Sequence, residues 1–317
     1  MKILITGSSG YIGSVLSKVA MERGHTVIGV DTKKSSHKYF DHFINSDIGI
    51  NEVAYEAVNY NVDAVFHLAA SADVTDSTIR PSLYYHNNLG ATAKLFDNLI
   101  LQGWKGKVIF SSTAAVYGIS NQPNRENINI DPPNVYGKSK LMCETFFKDL
   151  NFIHNIPVTT FRYFNVAGAY EDVGDHLESH HVLQKLCYSA KKNQPFFMFG
   201  HTLPTSDGSC VRDYIHVRDV CEAHFKAIEY QDIDKNYNTF NLGTMDGISV
   251  KELATKFIER TGKNIKIKDA ESRPGDPFFL VANPTLFKNV TNFEYKHSSI
   301  DNIIDSAWEW YRREHAF

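Results

Sequence analysis

Three residues near the middle of the chain could move a proton on and off a hydroxyl group. Tyr136 and Lys140 are four positions apart, so on a helix they lie on one face, one turn apart. A tyrosine phenol is a poor base at neutral pH, but a nearby ammonium group favours the phenolate and lowers its pKa. Thr113 ends the strand-like run 108–112 and could share the proton. The trio predicts general acid–base chemistry, although the same Tyr/Lys spacing also occurs on ordinary surface helices.

The N-terminal segment has the order of elements of a dinucleotide-binding βαβ unit. A short apolar strand leads into GSSGYIG at 7–13, a helical pattern follows, and a second strand ends at Asp31. Glycines let a pyrophosphate approach the backbone amides at a helix N-terminus. Asp31 comes 18 residues after Gly13, where an acid accepts hydrogen bonds from the adenosine ribose. A tight turn that needs small residues would explain the glycines but not Asp31.

Asp31 also bears on which dinucleotide is bound. Lys33 and Lys34 could meet a 2′-phosphate, but the carboxylate of Asp31 would repel that phosphate. We therefore expect NAD rather than NADP as the cofactor, with the two lysines in a solvated turn.

Length and composition are those of an ordinary globular protein. The 317 residues are 43% hydrophobic and 22% charged, with a net charge of −3, and they can bury one large or two medium cores. The charge argues against a nucleic-acid partner. No apolar stretch approaches the ~20 residues of a membrane span, and no secretory segment is evident. The four cysteines form no CxxC pair, so we expect reduced thiols in a soluble, cytoplasmic protein.

Apolar strands alternate with helical patterns through the first half of the chain, and the pattern changes afterwards. This alternation predicts an α/β fold, a Rossmann-type doubly wound parallel sheet covered by helices on both faces. Residues 168–181 are polar and rich in Gly, Asp and His, as in a substrate-binding insertion. We expect an NAD-binding domain at 1–166, to which about 211–242 returns, and a smaller C-terminal α/β substrate-binding lobe at 167–317.

Motifs along nearly the whole chain resemble one enzyme family. They are GSSGYIG at 7–13, HLAA at 67–70, NN at 87–88, SSTAAVYG at 111–118, YGKSK at 136–140, RYFNVAGA at 162–169, VRDYIHVRD at 211–219, NLG at 241–243 and RPGD at 273–276. Together they resemble the extended short-chain dehydrogenase/reductase family and, within it, the UDP-glucose 4-epimerases. A sugar-nucleotide 4,6-dehydratase of this family would carry Asp-Glu after the threonine, whereas Ala114 and Ala115 stand there.

The resemblance implies a nucleotide-sugar 4-epimerase acting on a UDP-sugar. Tyr136 would take the proton of the C4 hydroxyl, the C4 hydride would pass to NAD, and a 4-keto sugar would receive it on the opposite face. Lys140 would lower the Tyr136 pKa and bond the nicotinamide ribose. The residues implied around NAD are Gly7, Gly10, Tyr11, Ile12, Gly13, Asp31, Asp47, Ile48, Leu68, Ala69, Ala70, Asn87, Ser111, Tyr136, Lys140 and Phe164.

A second set of residues is implied for the UDP-sugar. It comprises Thr113, Asn165, His180, Phe199, Arg212, Arg273, Asp276 and Leu280. The two arginines suit a diphosphate, because a guanidinium is planar, permanently charged and able to form paired hydrogen bonds.

Two positions depart from the family pattern. Ala72 stands where many bacterial epimerases have a lysine, and an asparagine often found against the sugar is replaced within Glu178-Ser-His-His181. The histidines could contact the sugar or could cap the following helix. A zinc site built from His176, His180 and His181 lacks supporting cysteine or carboxylate spacing, so we expect no metal.

Leu280 bears on substrate size. It lies four residues after Asp276, where the family closes the pocket beside the sugar's C2 substituent. Leucine is smaller than the tyrosine that would crowd an N-acetyl group, so we expect UDP-glucose and UDP-galactose as substrates and the N-acetylated pair to be at least weakly accepted. Alternatively, Leu280 is a core residue of a strand, because 278–281 is uniformly apolar.

Two long helices predict a homodimer. Residues 82–101 and 135–151 carry more apolar residues than one sheet face can cover, and related enzymes pair such helices into a four-helix bundle.

Two other functions remain open from the sequence. One is another NAD-dependent sugar-nucleotide dehydrogenase, reductase or epimerase. The other is a non-catalytic NAD-binding protein, against which the intact Thr113, Tyr136 and Lys140 argue.

Overall fold

The computed structural model describes residues 1–175, 181–272 and 277–314. Its strands are β1 (Lys2–Thr6), β2 (Thr26–Asp31), β3 (His42–Asn45), β4 (Ala64–His67), β5 (Lys107–Thr113), β6 (Val158–Tyr163), β7 (Asn165–Ala167), β8 (Ala169–Tyr170), β9 (Val173–Gly174), β10 (Phe196–Phe199), β11 (Val211–His216), β12 (Tyr237–Leu242), β13 (Gly247–Ser249), β14 (Ile267–Ala270) and β15 (Phe279–Leu280). Its α-helices are α1 (Tyr11–Glu22), α2 (Asn51–Asn59), α3 (Val74–Ile79), α4 (Pro81–Tyr84), α5 (Ala91–Leu101), α6 (Val135–His154), α7 (Val182–Lys192), α8 (Val217–Tyr230), α9 (Val250–Thr261), α10 (Thr285–Thr291) and α11 (Ile300–Glu314). A π-helical turn (Tyr85–Gly90) joins α4 to α5, and a 3-10 turn (Ala114–Val116) follows β5.

The first of two compact units is built on a seven-stranded sheet. It contains residues 1–117, 130–162 and 221–240, and the strand order of the sheet is β12-β6-β5-β4-β1-β2-β3. β1 pairs in parallel with both β2 and β4, so the chain order reverses there. Doubly wound sheets bind ligands at the carboxyl ends of strands at such a switch point. The predicted Rossmann-type fold is confirmed.

Burial on both faces explains the composition of these strands. Ile3, Leu4 and Ile5 in β1 are all fully buried, as are Val65 and Phe66 in β4. A strand covered by helices on both faces has no polar face, so its apolar residues run continuously instead of alternating.

The second unit is organised around β11. It comprises the described residues of 118–129, 163–220 and 241–317. β11 pairs in parallel with β7 and β15 and antiparallel with β13, while β10 and β14 form a separate parallel pair. The segment of the first unit that returns late in the chain is therefore 221–240, shorter than the expected 211–242, because β11 is paired with strands of the second unit.

Helix α6 is the longest of the described helices, and local signals set its ends. The Asn134 side chain caps its first turn by accepting from the Gly137 N–H at 2.8 Å. Asn155 ends it in the left-handed region with φ of 55°. Residues buried at helical spacing, from Lys140 through Phe147, form its inner face.

The long helix expected at 82–101 is not regular. It consists of α4, the π-helical turn and α5 in succession. No helix within the described ranges is long and apolar enough to cross a membrane.

Candidate active site in the first unit

The first unit brings Tyr136, Lys140 and Thr113 together. Tyr136 lies in the first turn of α6, and its hydroxyl hydrogen-bonds to the side chain of Thr113 at the end of β5. One turn later, Nζ of Lys140 donates to the backbone oxygen of Ser111 at 2.6 Å. The ammonium also lies 4.8 Å from the centroid of the Phe110 ring, a cation–π contact that favours its charged form.

The pKa values of this trio differ from the sequence-based expectation. Burial raises the pKa of Tyr136 above its ordinary value, and the hydrogen bond to Thr113 lowers it only in part. Burial also lowers the pKa of Lys140 to about 8, whereas Cys143 and Glu144 raise it. The net shift of the Tyr136 pKa is upward, opposite to the predicted lowering, because burial outweighs the hydrogen bond to Thr113 and the Lys140 ammonium donates to a carbonyl of β5.

A buried ion pair that the sequence analysis missed lies one turn beyond Lys140. Glu144 accepts from Arg162 through both carboxylate oxygens, at 3.0 Å from Nε and 2.6 Å from Nη2. The Ser112 hydroxyl donates to the same carboxylate, and Arg162 Nη1 donates to the Tyr117 hydroxyl at 3.0 Å. Both charged residues are only 5% exposed. The sequence does contain a signal for this pair. An acid on the apolar face of a helix and an arginine within an apolar strand are both expected to be buried, and each then needs a partner of opposite charge.

A second network joins the π-helical turn to the loop after β4 and to α6. Asn88 accepts from Ser71 N at 2.7 Å and donates to Ser71 O at 3.0 Å and to Ser139 Oγ at 2.9 Å. Ser139 Oγ donates in turn to the backbone oxygen of Tyr136 at 2.8 Å. The preceding Asn87 donates to Ser71 Oγ, so the π-helical turn directs two consecutive asparagines to one serine. Such turns are frequent at functional sites.

His67 fixes the end of β4 beside β1. Its Nδ1 lies 2.8 Å from Thr6 Oγ1 and its Nε2 lies 2.8 Å from Thr92 Oγ1. Because Thr92 donates to the Asn88 carbonyl, it must accept from Nε2–H, which leaves Nδ1 to accept from Thr6. Burial and the charge of Lys140 lower the pKa of His67 to about 3, so the ring is neutral.

The glycine loop fits a dinucleotide. Gly7 has a φ of +71°, and a Cβ on Gly13 would lie 2.1 Å from the Gly7 oxygen, so side chains at either position would open the loop. Gly10 is the N-cap of α1 and makes no side-chain cap bond. The amide groups of the first turn can therefore donate hydrogen bonds to a phosphate.

Asp31 lies beside this loop at the end of β2. Its carboxylate accepts from Ser9 N at 3.0 Å and from Lys33 N at 2.9 Å. A carboxylate has about four acceptor positions, so capacity for ribose hydroxyls remains. The side chains of Lys33 and Lys34 are exposed.

Most of the other predicted cofactor residues also lie in the first unit. Tyr11 and Ile12 begin α1, Asp47 and Ile48 follow β3, Leu68, Ala69 and Ala70 follow β4, and Ser111 lies in β5. Ala69 N would lie 2.9 Å from a Cβ on Gly7, so the two loops are in close contact. Phe164 is buried in the second unit, where its N–H donates to Leu242 O.

The described residues predicted to bind the sugar nucleotide, apart from Thr113, lie in the second unit. Arg212 in β11 is buried and donates to Val211 O, and its register partner in β15 is Leu280, which is half-buried. Asn165 begins β7 and Phe199 ends β10. His180, Arg273 and Asp276, and with them His176 of the weighed zinc site, lie outside the described residues.

His181 neither caps α7 with its side chain nor lacks a partner. It occupies the N-cap position without a side-chain cap bond, and its Nδ1 lies 2.7 Å from Oδ2 of Asp175. Of the two alternatives left open by the sequence, a side-chain cap is not formed by His181, because its ring pairs with the carboxylate of Asp175.

Comparison with known proteins agrees with the fold. Residues 3–243 match the model of a family described as the NAD dependent epimerase/dehydratase family. A UDP-glucose 4-epimerase of Corynebacterium glutamicum is 34% identical over 97% of this chain and 95% of its own length.

Two solved structures are similar over nearly the whole chain. A UDP-glucose 4-epimerase of Stenotrophomonas maltophila, solved with bound NAD and formylated UDP-arabinopyranose, has a TM-score of 0.93 at 29% identity, covering 99% of this chain and 98% of its own. The UDP-Glc/GlcNAc 4-epimerase of Campylobacter jejuni has a TM-score of 0.83 at 33% identity, covering 98% of this chain and 99% of its own.

Proposed function

The chain belongs to the NAD dependent epimerase/dehydratase family, and we propose that it interconverts UDP-glucose and UDP-galactose through a 4-keto intermediate with tightly bound NAD. The observation that carries the proposal is the trio at the junction of β5 and α6, where Tyr136 hydrogen-bonds to Thr113 one turn before Lys140. It is supported by relatives of nearly equal length that bear this activity.

Tyr136 is the general base and acid of this reaction. As the phenolate it accepts the C4 hydroxyl proton when the sugar is oxidised, and as the resulting phenol it returns a proton when the 4-keto sugar is reduced on its other face. Thr113 hydrogen-bonds to the phenol and orients it toward that hydroxyl. The glycine loop and Asp31 would hold NAD, which would supply the hydride acceptor.

Lys140 acts as the fixed positive charge of the site. Its pKa of about 8 keeps most of the side chain protonated at neutral pH. A cation at this place favours every step in which negative charge develops on the phenol or on the sugar oxygen.

The 3-10 turn after Thr113 argues against a dehydratase mechanism. Elimination of water needs an acid and a base beside the sugar, and Ala114 and Ala115 provide neither.

We assign substrate recognition to the second unit. Arg212 would bind the diphosphate, Phe199 and Asn165 the nucleotide and sugar, and Leu280 would limit the size of the C2 substituent. Because leucine leaves more room than tyrosine, the proposal includes weak acceptance of the N-acetylated pair. The UDP-Glc/GlcNAc 4-epimerase of Campylobacter jejuni, which is similar to this chain, supports this part of the proposal.

A homodimer formed through the outer face of α6 is part of the proposal. Met142, Phe152 and Ile153 are exposed on this helix by 45%, 85% and 64%, and such apolar surface is typical of an interface.

The four cysteines are free and buried, which is the pattern of a reducing compartment. We therefore place the enzyme in the cytoplasm. The proposed substrates, UDP-glucose and UDP-galactose, place it in galactose metabolism.

A panel of UDP-sugars tests the proposal. The purified protein is incubated with UDP-galactose, UDP-glucose and their N-acetylated forms without added cofactor, and the products are identified by NMR. We expect interconversion of the first pair with no net formation of NADH. Stoichiometric NADH would indicate a dehydrogenase, and retained NAD without any conversion would indicate a binding protein.

A further inference from the structure

We propose that Glu144, held by Arg162 and Ser112, is a positioning residue that sets the place and charge of Lys140. The inference rests on the proposed function, because Lys140 is the fixed cation of that reaction. The side-chain hydrogen bonds of Glu144 join it to Ser112 on β5 and Arg162 on β6, so it acts through its neighbours.

Three consecutive strand residues are each bonded to α6. The Ser111 oxygen accepts from Lys140, the Ser112 hydroxyl donates to Glu144, and the Thr113 side chain hydrogen-bonds to Tyr136. On the helix the three partners follow one another at intervals of one turn. The bond between Ser112 and Glu144 therefore fixes the strand between Ser111, which binds Lys140, and Thr113, which binds Tyr136.

Arg162 forms an ion pair with Glu144 and holds its carboxylate in one orientation. Its two donors reach both carboxylate oxygens, the paired geometry that defines a carboxylate plane. The pKa of Arg162 is raised, because the hydrogen bonds and charge of Glu144 outweigh the effect of burial. A buried carboxylate without such a partner would take up a proton.

Glu144 supplies the permanent negative charge that faces Lys140. From α6 the lysine is faced by Cys143 and Glu144, from β4 by His67 and from β5 by the Ser111 oxygen and the Phe110 ring. Burial raises the pKa of Cys143 to about 11, so its thiol is neutral. His67 is also neutral, so among these groups Glu144, which is ion-paired with Arg162, is the one that carries a negative charge.

The direction of the effect follows from these charges. Burial lowers the Lys140 pKa and Glu144 raises it. Without the negative charge of Glu144, Lys140 loses its proton at a lower pH. Since activity needs the charged lysine, the alkaline limb of the rate profile moves to lower pH.

Glu144→Gln in the NAD-loaded enzyme tests the inference, with kcat measured against pH. We expect kcat at neutral pH to fall about 10-fold or more at little changed KM, the scale of a small displacement of catalytic groups. The alkaline limb of the variant should lie at lower pH than in the wild type. A variant profile that superimposes on the wild-type profile after scaling would overturn the inference.

A second variant separates positioning from folding. Glu144→Leu with Arg162→Met removes both charges and fills the space with apolar groups, a replacement that is often neutral or stabilising. We expect this double variant to fold, to retain NAD and to show the same displaced limb. Wild-type kcat in the double variant would mean that the pair only stabilises the fold.

A readout without turnover distinguishes this inference from the proposed function. The Lys140 side chain is titrated by NMR in lysine-labelled protein, with Lys140→Met used for assignment. A lower Lys140 pKa in Glu144→Gln supports the inference even if the wild type converts no UDP-sugar, a result that would overturn the function alone. An unchanged Lys140 pKa overturns the inference whatever the activity.

Discussion

In the first unit the candidate catalytic residues are bound to their surroundings by side-chain hydrogen bonds, whereas in the second unit Arg212 and Leu280 are placed mainly by strand pairing. Ser111, Ser112 and Thr113 each bond to α6. Arg212 and Leu280, in contrast, are register partners of β11 and β15, and one is buried while the other is half-buried. Under the proposed function, this difference assigns proton transfer to the first unit and substrate selectivity to the second. Proton transfer needs groups fixed within fractions of an ångström, whereas recognition of a substituent depends on the volume that a side chain leaves free.

The largest effect is expected from Tyr136→Phe, which removes the proton acceptor of the first unit and keeps the ring. We expect kcat to fall by roughly 10² or more, the usual contribution of general acid–base catalysis, with NAD retained and folding unchanged. Thr113→Ala should cost less, because it removes one hydrogen bond. Tyr55→Phe is the matched control, since Tyr55 is 60% exposed in the same unit. Near wild-type turnover in Tyr136→Phe would place the base elsewhere.

Cofactor retention should depend on Asp31. Wild-type protein purified without added NAD is expected to release NAD on denaturation, since a cycle that returns the hydride needs no exchange of cofactor. Asp31→Asn keeps an acceptor for Ser9 N but removes the charge, and a hydrogen bond to a charged group is worth about 1.5–3 kcal/mol. We expect at least about 10-fold weaker NAD binding, measured by equilibrium dialysis. Lys34→Ala should change nothing, and a preference of wild type for NADP would contradict the assignment.

The selectivity between plain and N-acetylated UDP-sugars should change only on substitution in the second unit. Leu280→Tyr is expected to lower kcat/KM selectively for the N-acetylated UDP-sugars, by about 1–3 kcal/mol for a misfit of methyl scale, with little effect on UDP-glucose. Leu286→Tyr, at a residue 45% exposed on α10, is the control. Equal losses for both classes of sugar, or none, would make Leu280 a core residue of β15 without a role in selectivity.

The smallest effect on catalysis is expected from the outer face of α6. Phe152→Glu puts a charge into the proposed interface, which should bury well over ~1,000 Å² in a stable dimer. We expect a dimer for the wild type and a monomer for the variant in sedimentation analysis, with the bonds of the inner face intact. Ile233→Glu, at a residue 85% exposed outside this face, should stay dimeric. A wild-type monomer at micromolar concentration would refute the interface.

Local periodicity predicts much of this molecule but not its exceptions. The apolar runs of β1, β2 and β4 and the glycine turn follow from local sequence, and so does the pairing of Tyr136 with Lys140 on one helix face. The π-helical turn does not, because the bonds of Asn88 to Ser71 and Ser139 come from distant parts of the chain. β15 was predicted only as an alternative, since two residues have no period and their partners, Val211 and Arg212, are distant in the chain.

Charges in the core are the second kind of feature that was missed. Glu144 and Arg162 read separately as a helix acid and a strand arginine, and only the packing of α6 against the sheet joins them. The direction of the Tyr136 pKa shift could not be predicted for the same reason. Spacing on a helix shows neither that the phenol is buried nor that Lys140 donates to Ser111.

The most direct test of the account follows the hydride itself. UDP-glucose carrying deuterium at C4 is incubated with the purified protein in ordinary water, without added cofactor, and the UDP-galactose formed is examined by NMR. If the same hydride is removed and returned while Tyr136 moves only the hydroxyl proton, the deuterium stays at C4 of the product and no NADH accumulates. Loss of the deuterium to solvent, or one equivalent of NADH for each sugar oxidised, would contradict the account.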